Sequence, residues 1–114
     1  MKLSDIVHTL KLDVLSGTSQ LSREVNCGYI SDILSDVMAK SPKTALWITN
    51  QTHENILAMV YFKGLSGVIL PEGLVLEECA MQKAIEKDIP VLTSNQTAFD
   101  LAGKLYNLGL RGSF

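Results

Sequence analysis

A chain of 114 residues with 46% hydrophobic and 19% charged content can bury one compact core and is too short for two ordinary domains, so a single domain over 1–114 is expected. A formal charge of −2 with scattered basic residues argues against nucleic acid, which needs a basic field to displace counterions from phosphates. The opening Met1-Lys2-Leu3-Ser4-Asp5 lacks the apolar core of a signal peptide and no stretch reaches membrane-spanning length, so a cytoplasmic protein with no membrane partner is expected.

In chain order, Ser4 is placed to cap a short helix through Leu10, and Val14-Leu15 before Gly17 predicts a brief strand ending in a turn. A strand follows over 25–30, with Cys27 and Tyr29 on one face and Asn26 and Gly28 on the other. Asp32 or Ser31 then caps a helix over about 33–40, closed at Ser41-Pro42 because proline cannot continue it. Ala45-Leu46-Trp47-Ile48-Thr49, Gly67-Val68-Ile69-Leu70 and Pro90-Val91-Leu92-Thr93 are short, apolar and flanked by turn formers. Strands covered on both faces of a parallel sheet read this way. Helices are expected over about 53–63, 76–87 and 97–108. In the second, Leu76, Ala80, Ala84, Met81 and Ile85 form the apolar side, and Glu77, Glu78, Lys83, Glu86 and Lys87 a solvated face. Alternating strands and helices with short loops give an α/β architecture in three layers, a mainly parallel sheet flanked by helices. Residues 109–114 are expected to fray. Cys27 and Cys79 have neither metal-ligand nor disulfide spacing and are expected to be buried free thiols.

The order Leu12-Asp13-Val14-Leu15-Ser16-Gly17, then Val25, Gly28-Tyr29-Ile30-Ser31-Asp32-Ile33-Leu34-Ser35-Asp36-Val37-Met38-Ala39, Leu46-Trp47-Ile48-Thr49, Gln51-Thr52-His53 and Ile89-Pro90-Val91-Leu92 resembles a DRTGG-domain protein. That family is similar to the N-terminal domain of bacterial HPr kinase/phosphorylase, and the likeness runs from about Leu3 to Gly109. The name-giving motif is altered: Asn50-Gln51-Thr52 stands where an Asp-Arg-Thr element would lie, and Leu70-Pro71-Glu72-Gly73 where Thr-Gly-Gly is usual. The resemblance implies a non-catalytic regulatory or assembly domain that acts beside kinase or nucleotide-sensing modules. It also implies an alternative, an adaptor docking on a redox (hydrogenase-associated) or signalling partner. Kinase activity is not implied, since the chain has no Gly-x-x-x-x-Gly-Lys-Ser/Thr loop to cradle phosphates.

In a parallel sheet, the segments Thr49-Asn50-Gln51-Thr52-His53, Pro71-Glu72-Gly73 and Thr93-Ser94-Asn95-Gln96 fall at one carboxyl edge, where ligands of open α/β sheets bind. Ser31, Asp32, Thr49, Gln51, Thr52, His53, Glu72, Gly73, Thr93 and Ser94 are therefore the candidate binding residues for a nucleotide or phosphorylated metabolite. Helix capping by the same residues is the competing explanation. His53 is expected as a neutral, hydrogen-bonded imidazole at a helix start, because the helix dipole disfavours its cation there. Asp32 and Asp36 would share a helix face at i, i+4 and could hold Mg²⁺. The preferred reading makes Asp32 a cap and Asp36 a first-turn acid, so no metal, cofactor or catalytic residue is assigned. Apolar residues around two helices favour a homodimer, with Met59, Phe62, Phe99, Leu105 and Tyr106 as interface candidates and a protein partner as the other use of that surface.

Overall fold

Alternation along the central strands divides the core in two, and that division sets the layers. In the computed structural model, which describes residues 1–113, the elements are α1 (Leu3–Leu10), β1 (Asp13–Ser16), a 3₁₀ turn (Thr18–Gln20), β2 (Cys27–Ile30), α2 (Leu34–Lys40) and β3 (Ala45–Ile48). They continue with α3 (Asn55–Lys63), β4 (Gly67–Leu70), α4 (Glu78–Glu86), β5 (Val91–Thr93) and α5 (Ala98–Asn107). Trp47, Val68, Leu70 and Val91 point into one cluster with Val37, Ile56, Leu57, Val60, Ala80 and Ala84. Leu46, Ile48, Ile69 and Leu92 point into the other, with Leu3, Ile6, Leu10, Leu101 and Leu105. Burial on both faces explains why these strands are apolar at every position rather than at every second one.

The sheet order is β1-β5-β4-β3-β2. β2, β3, β4 and β5 are mutually parallel, and β1 pairs antiparallel to β5 at the far edge. From β2 to β5 the chain steps always in the same direction across the sheet, so crossovers of one hand place α2, α3 and α4 together on one face. α1 and α5 cover the other. The fold is therefore α/β, mostly parallel and three-layered. No helix among the described residues is long and apolar enough to cross a membrane.

Local differences from the sequence reading have identifiable causes. Ser4 does not cap α1: the helix begins at Leu3 with Lys2 in the cap position. The amides of Leu3 and Ser4 donate instead to the carbonyls of Arg23 (2.9 Å) and Leu21 (2.8 Å), so a neighbouring loop satisfies the helix start. Neither Ser31 nor Asp32 occupies the cap of α2, which falls to Ile33. Cys27 is buried, which pushes its thiol pKa up, whereas Cys79 is exposed on α4. Ile85, expected on the apolar side of α4, is 60% exposed, because the helix meets the sheet through Ala80 and Ala84 with Met81 packed beside them. The segment 109–113 does not lie loose: Leu110 is buried in the α1/α5 cluster, Arg111 O accepts from Gly28 N on the outer edge of β2 (2.9 Å), and the Arg111 guanidinium sits 3.7 Å from the centre of the Tyr106 ring. Phe114 lies outside the described residues.

The turn after β1 is the tightest steric point of the fold. Gly17 has φ +80°, and a Cβ there would lie 2.4 Å from the backbone of Pro90, while Ser16 Oγ donates to Ile89 O at 2.6 Å. Only glycine combines that φ with that approach. Gly17→Ala is expected to cost about 3 kcal/mol or more. Gly103→Ala, inside α5 with nothing within 4 Å of the new methyl, should gain about 0.5–1 kcal/mol. Urea unfolding of the two variants checks both signs.

Candidate functional site

Parallel β3, β4 and β5 bring the three expected polar segments to one edge of the sheet, where the first bonds to the β2–α2 loop and the other two bond to each other. Asp32 is the hub. Its Oδ1 accepts from Thr49 Oγ1 (2.9 Å) and Asn50 N (2.7 Å), and its Oδ2 from Asn50 Nδ2 (3.0 Å). Gln51 Nε2 donates to Asp32 O (2.9 Å), and Gln51 N to Thr49 Oγ1 (3.2 Å). Ser31 Oγ accepts from Ile33 N (3.1 Å) and Ser31 O from Trp47 Nε1 (2.8 Å). The loop between β2 and α2 is thus tied to the end of β3 by side chains on both sides. Burial pushes the Asp32 carboxyl pKa up, but hydrogen bonds from the Asn50 backbone, Thr49 and the Asn50 side chain outweigh it and hold the group below its ordinary value.

The ends of β4 and β5 are closed by main-chain bonds. Glu72 and Gly73 adopt left-handed backbone, φ 57° and 71°, and their amides donate to Gln96 O (2.9 Å) and Ser94 O (2.8 Å). Thr93 Oγ1 donates to Leu74 O at 2.6 Å. Ser94 Oγ accepts from Gln96 N and Gln96 Nε2, each at 3.1 Å. Thr93 and Ser94 are buried. Thr52 gives its carbonyl to Glu77 N (3.1 Å), and His53 Nδ1 accepts from Asn55 N (3.2 Å), a side-chain bond at the start of α3. Of the groups expected to receive a ligand, the Thr49 and Thr93 hydroxyls and the Gln51, Glu72 and Gly73 amides donate within the fold, whereas the Ser31 and Ser94 hydroxyls only accept.

What remains open at this edge is a cleft of about 190 Å³ lined by Ile30, Ser31, Asp32, Ile48, Thr49, Asn50, Pro71 and Ala98. Of the ten expected binding residues it includes Ser31, Asp32 and Thr49; Gln51, Thr52, His53, Glu72, Gly73, Thr93 and Ser94 do not line it. Asn50, which the sequence reading passed over, supplies two of the three donors to Asp32. An Asn directly after a strand end and within reach of an Asp is the signal that would have found it.

Asp32 and Asp36 do not share a helix face. Asp32 precedes α2, while Asp36 lies in its first turn, where Oδ2 accepts from Tyr29 OH (2.9 Å) and Oδ1 pairs with Lys40 Nζ (3.1 Å). Hydrogen bonding to Lys40 and Tyr29 lowers the Asp36 pKa. No cluster of three metal-ligating side chains occurs among the described residues.

The interface candidates separate onto opposite faces. Phe62 on α3 is 73% exposed and Phe99 and Tyr106 on α5 are 87% and 58% exposed. Leu105 is buried in the α1/α5 core and is not available to a partner, while Met59 is half-buried against the opposite core. Two of the three larger hollows flank the sheet. One, of about 360 Å³, runs between β2, α5 and the Leu110–Gly112 stretch. The other, of about 680 Å³, lies between α3 and α4 and is lined by Glu54, Leu57, Ala58, Tyr61, Phe62, Lys83, Lys87 and their neighbours.

No family model matches the chain, and no curated protein matches it. Among solved structures it is similar to the CBS and DRTGG domains of the regulatory region of Clostridium perfringens pyrophosphatase, solved in complex with the activator diadenosine tetraphosphate. The TM-score is 0.70 at 14% identity, over 90% of this chain and 44% of that one. The chain thus spans less than half the length of that solved regulatory region. At this identity the likeness is one of fold: the architecture is DRTGG-like, and the resemblance is to the DRTGG fold rather than to HPr kinase in particular.

Because the folded Asp32 pKa is depressed, its hydrogen bonds stabilise the fold above the unfolded value of about 3.9 and are lost as pH falls through the lower folded value. Asp32→Asn should lose about 1 kcal/mol at pH 7, a figure reduced for the exposure of the carboxylate. The gap to the parent chain should narrow as pH falls past the unfolded aspartate value and close only below the lower folded one, as measured by urea unfolding across pH.

Proposed function

We propose that this chain is a non-catalytic regulatory module that senses a nucleotide or another phosphorylated metabolite. The observation that carries the reading is the fold match to a regulatory region solved with a dinucleotide activator. It is supported by the self-satisfied strand-end edge, where Thr49, Thr93, Ser94 and His53 are all engaged in structural hydrogen bonds. A nucleophile needs a base to take its proton: Thr93 donates to main-chain carbonyls, which cannot, and Thr49 to an Asp32 carboxylate whose lowered pKa makes it a weak base.

The strand-end cleft is a poor place for the phosphates. At about 190 Å³ it is below the roughly 300–1,000 Å³ of ordinary ligand sites, and the ionised Asp32 carboxylate at its rim repels an anion. With the chain incubated with adenine and guanine nucleotides, native mass spectra should retain one of them. The melting temperature should rise by an amount equivalent to about 2.7 kcal/mol at a hundredfold excess over Kd, with the nucleotide recovered intact. Hydrolysed or transferred phosphate, or no retained nucleotide across the set, contradicts the proposal.

A second reading, self-association or docking of a protein partner, rests on the outer side of α5. Phe99, Ala102 and Tyr106 follow one another at i, i+3 and i+7 on one helix face, and Ala102 and Tyr106 line the same hollow as Ile30, itself 51% exposed. Two copies joined there would cover these side chains about a twofold axis. Light scattering should give a dimer for the parent chain and a monomer for Phe99→Asp combined with Tyr106→Asp. A monomeric parent removes self-association and leaves this face to a different protein.

A further inference from the structure

Resting on the ligand-sensing reading above, we propose that the nucleotide site is the groove between α3 and α4, with the base on the Tyr61/Phe62 aromatic pair and the phosphate at Lys87 and Lys83. The groove holds about 680 Å³, within the range of small-molecule sites and over three times the strand-end cleft. Its floor is apolar, built from Leu57, Ala58 and Ile89.

Three features select an aromatic anion for it. Tyr61 and Phe62 are each 73% exposed and meet edge to face, with ring centres 5.2 Å apart. Rings so held at the C-terminal end of α3 lose little conformational freedom when a planar base stacks on them. Lys83 and Lys87 stand one helical turn apart on the opposite wall, spaced to share one phosphate. Lys83 Nζ pairs with Glu54 Oε2 at 2.7 Å, whereas Lys87 has no salt-bridge partner among the described residues. Of the charged side chains lining the groove, two are lysines and one is Glu54, leaving a net positive charge there in a chain that is negative overall. An anion is drawn to that site and not to the strand-end edge with its ionised Asp32.

Glu54 makes the assignment distinctive. Its carboxylate competes with the ligand phosphate for Lys83, so its removal should strengthen binding even though it breaks a salt bridge of the free protein. The test titrates the full chain with AMP and with ATP by calorimetry, using the parent, Phe62→Ala, Lys87→Glu and Glu54→Gln. Melting temperatures confirm that each exposed-site variant is folded. Phe62→Ala and Lys87→Glu should each weaken the nucleotide about tenfold, and Glu54→Gln should tighten it several-fold. Inorganic phosphate as a probe should respond to Lys87→Glu and not to Phe62→Ala. Unchanged nucleotide affinity in Phe62→Ala and Lys87→Glu overturns this location while leaving the sensing function intact. Absence of AMP and ATP binding to the parent overturns the location as well, and the wider nucleotide panel then decides whether sensing itself survives.

Discussion

One carboxylate organises the strand-end edge of this domain. Asp32 sits where the loop from β2 turns into α2 and draws in the Thr49 hydroxyl, the Asn50 amide and the Asn50 side chain from the end of β3. An ionised group accepting three donors is satisfied in place, and charge-assisted bonds of this type are the stronger kind. The same contact has a consequence for ligands. The donors that an open α/β sheet usually offers at its carboxyl edge are here turned toward the protein's own Asp32.

The neighbouring strand ends follow the same logic with main-chain groups. The left-handed pair Glu72-Gly73 folds the end of β4 back so that its amides reach Ser94 and Gln96 beyond β5, and Thr93 reaches across to Leu74. A Cβ on Gly73 would lie 2.9 Å from Asn95 Oδ1, so the two loops are in contact. An edge so stitched is a structural seam, and exposed chemistry is displaced to the helix layer, where Tyr61, Phe62 and Lys87 have fewer partners inside the fold.

Most of the architecture was readable because the physics behind it is local. Runs such as Ala45–Ile48 and Gly67–Leu70 are apolar on both faces, which in a short chain means central parallel strands. Of the helices between them, α4 announced itself by 3.6-residue spacing, whereas α3 is apolar nearly all round. The site was readable only as a region. Ser31, Asp32 and Thr49 do gather in one cleft, but whether a hydroxyl or amide is free depends on a partner far away in sequence. Thr93 bonds 19 residues back, and Asp32 bonds 17 and 18 residues ahead. Composition shows that Ser, Thr and Asn can bind, and only three-dimensional pairing shows what they have already bound. The same holds for Leu105 and Tyr106, adjacent in an apolar helix yet one in the core and one in solvent.

Asp32 closes the strand-end edge, and the Asn50 backbone amide reports on that closure directly. Nuclear magnetic resonance through an acid titration, with hydrogen exchange recorded at neutral pH, follows that single proton. The closed edge predicts slow exchange at Asn50 and a chemical shift that tracks Asp32 ionisation with a midpoint below the ordinary aspartate value. Rapid exchange at Asn50, or an Asp32 midpoint at or above that value, would contradict it and return the strand-end edge to the position of an open binding site.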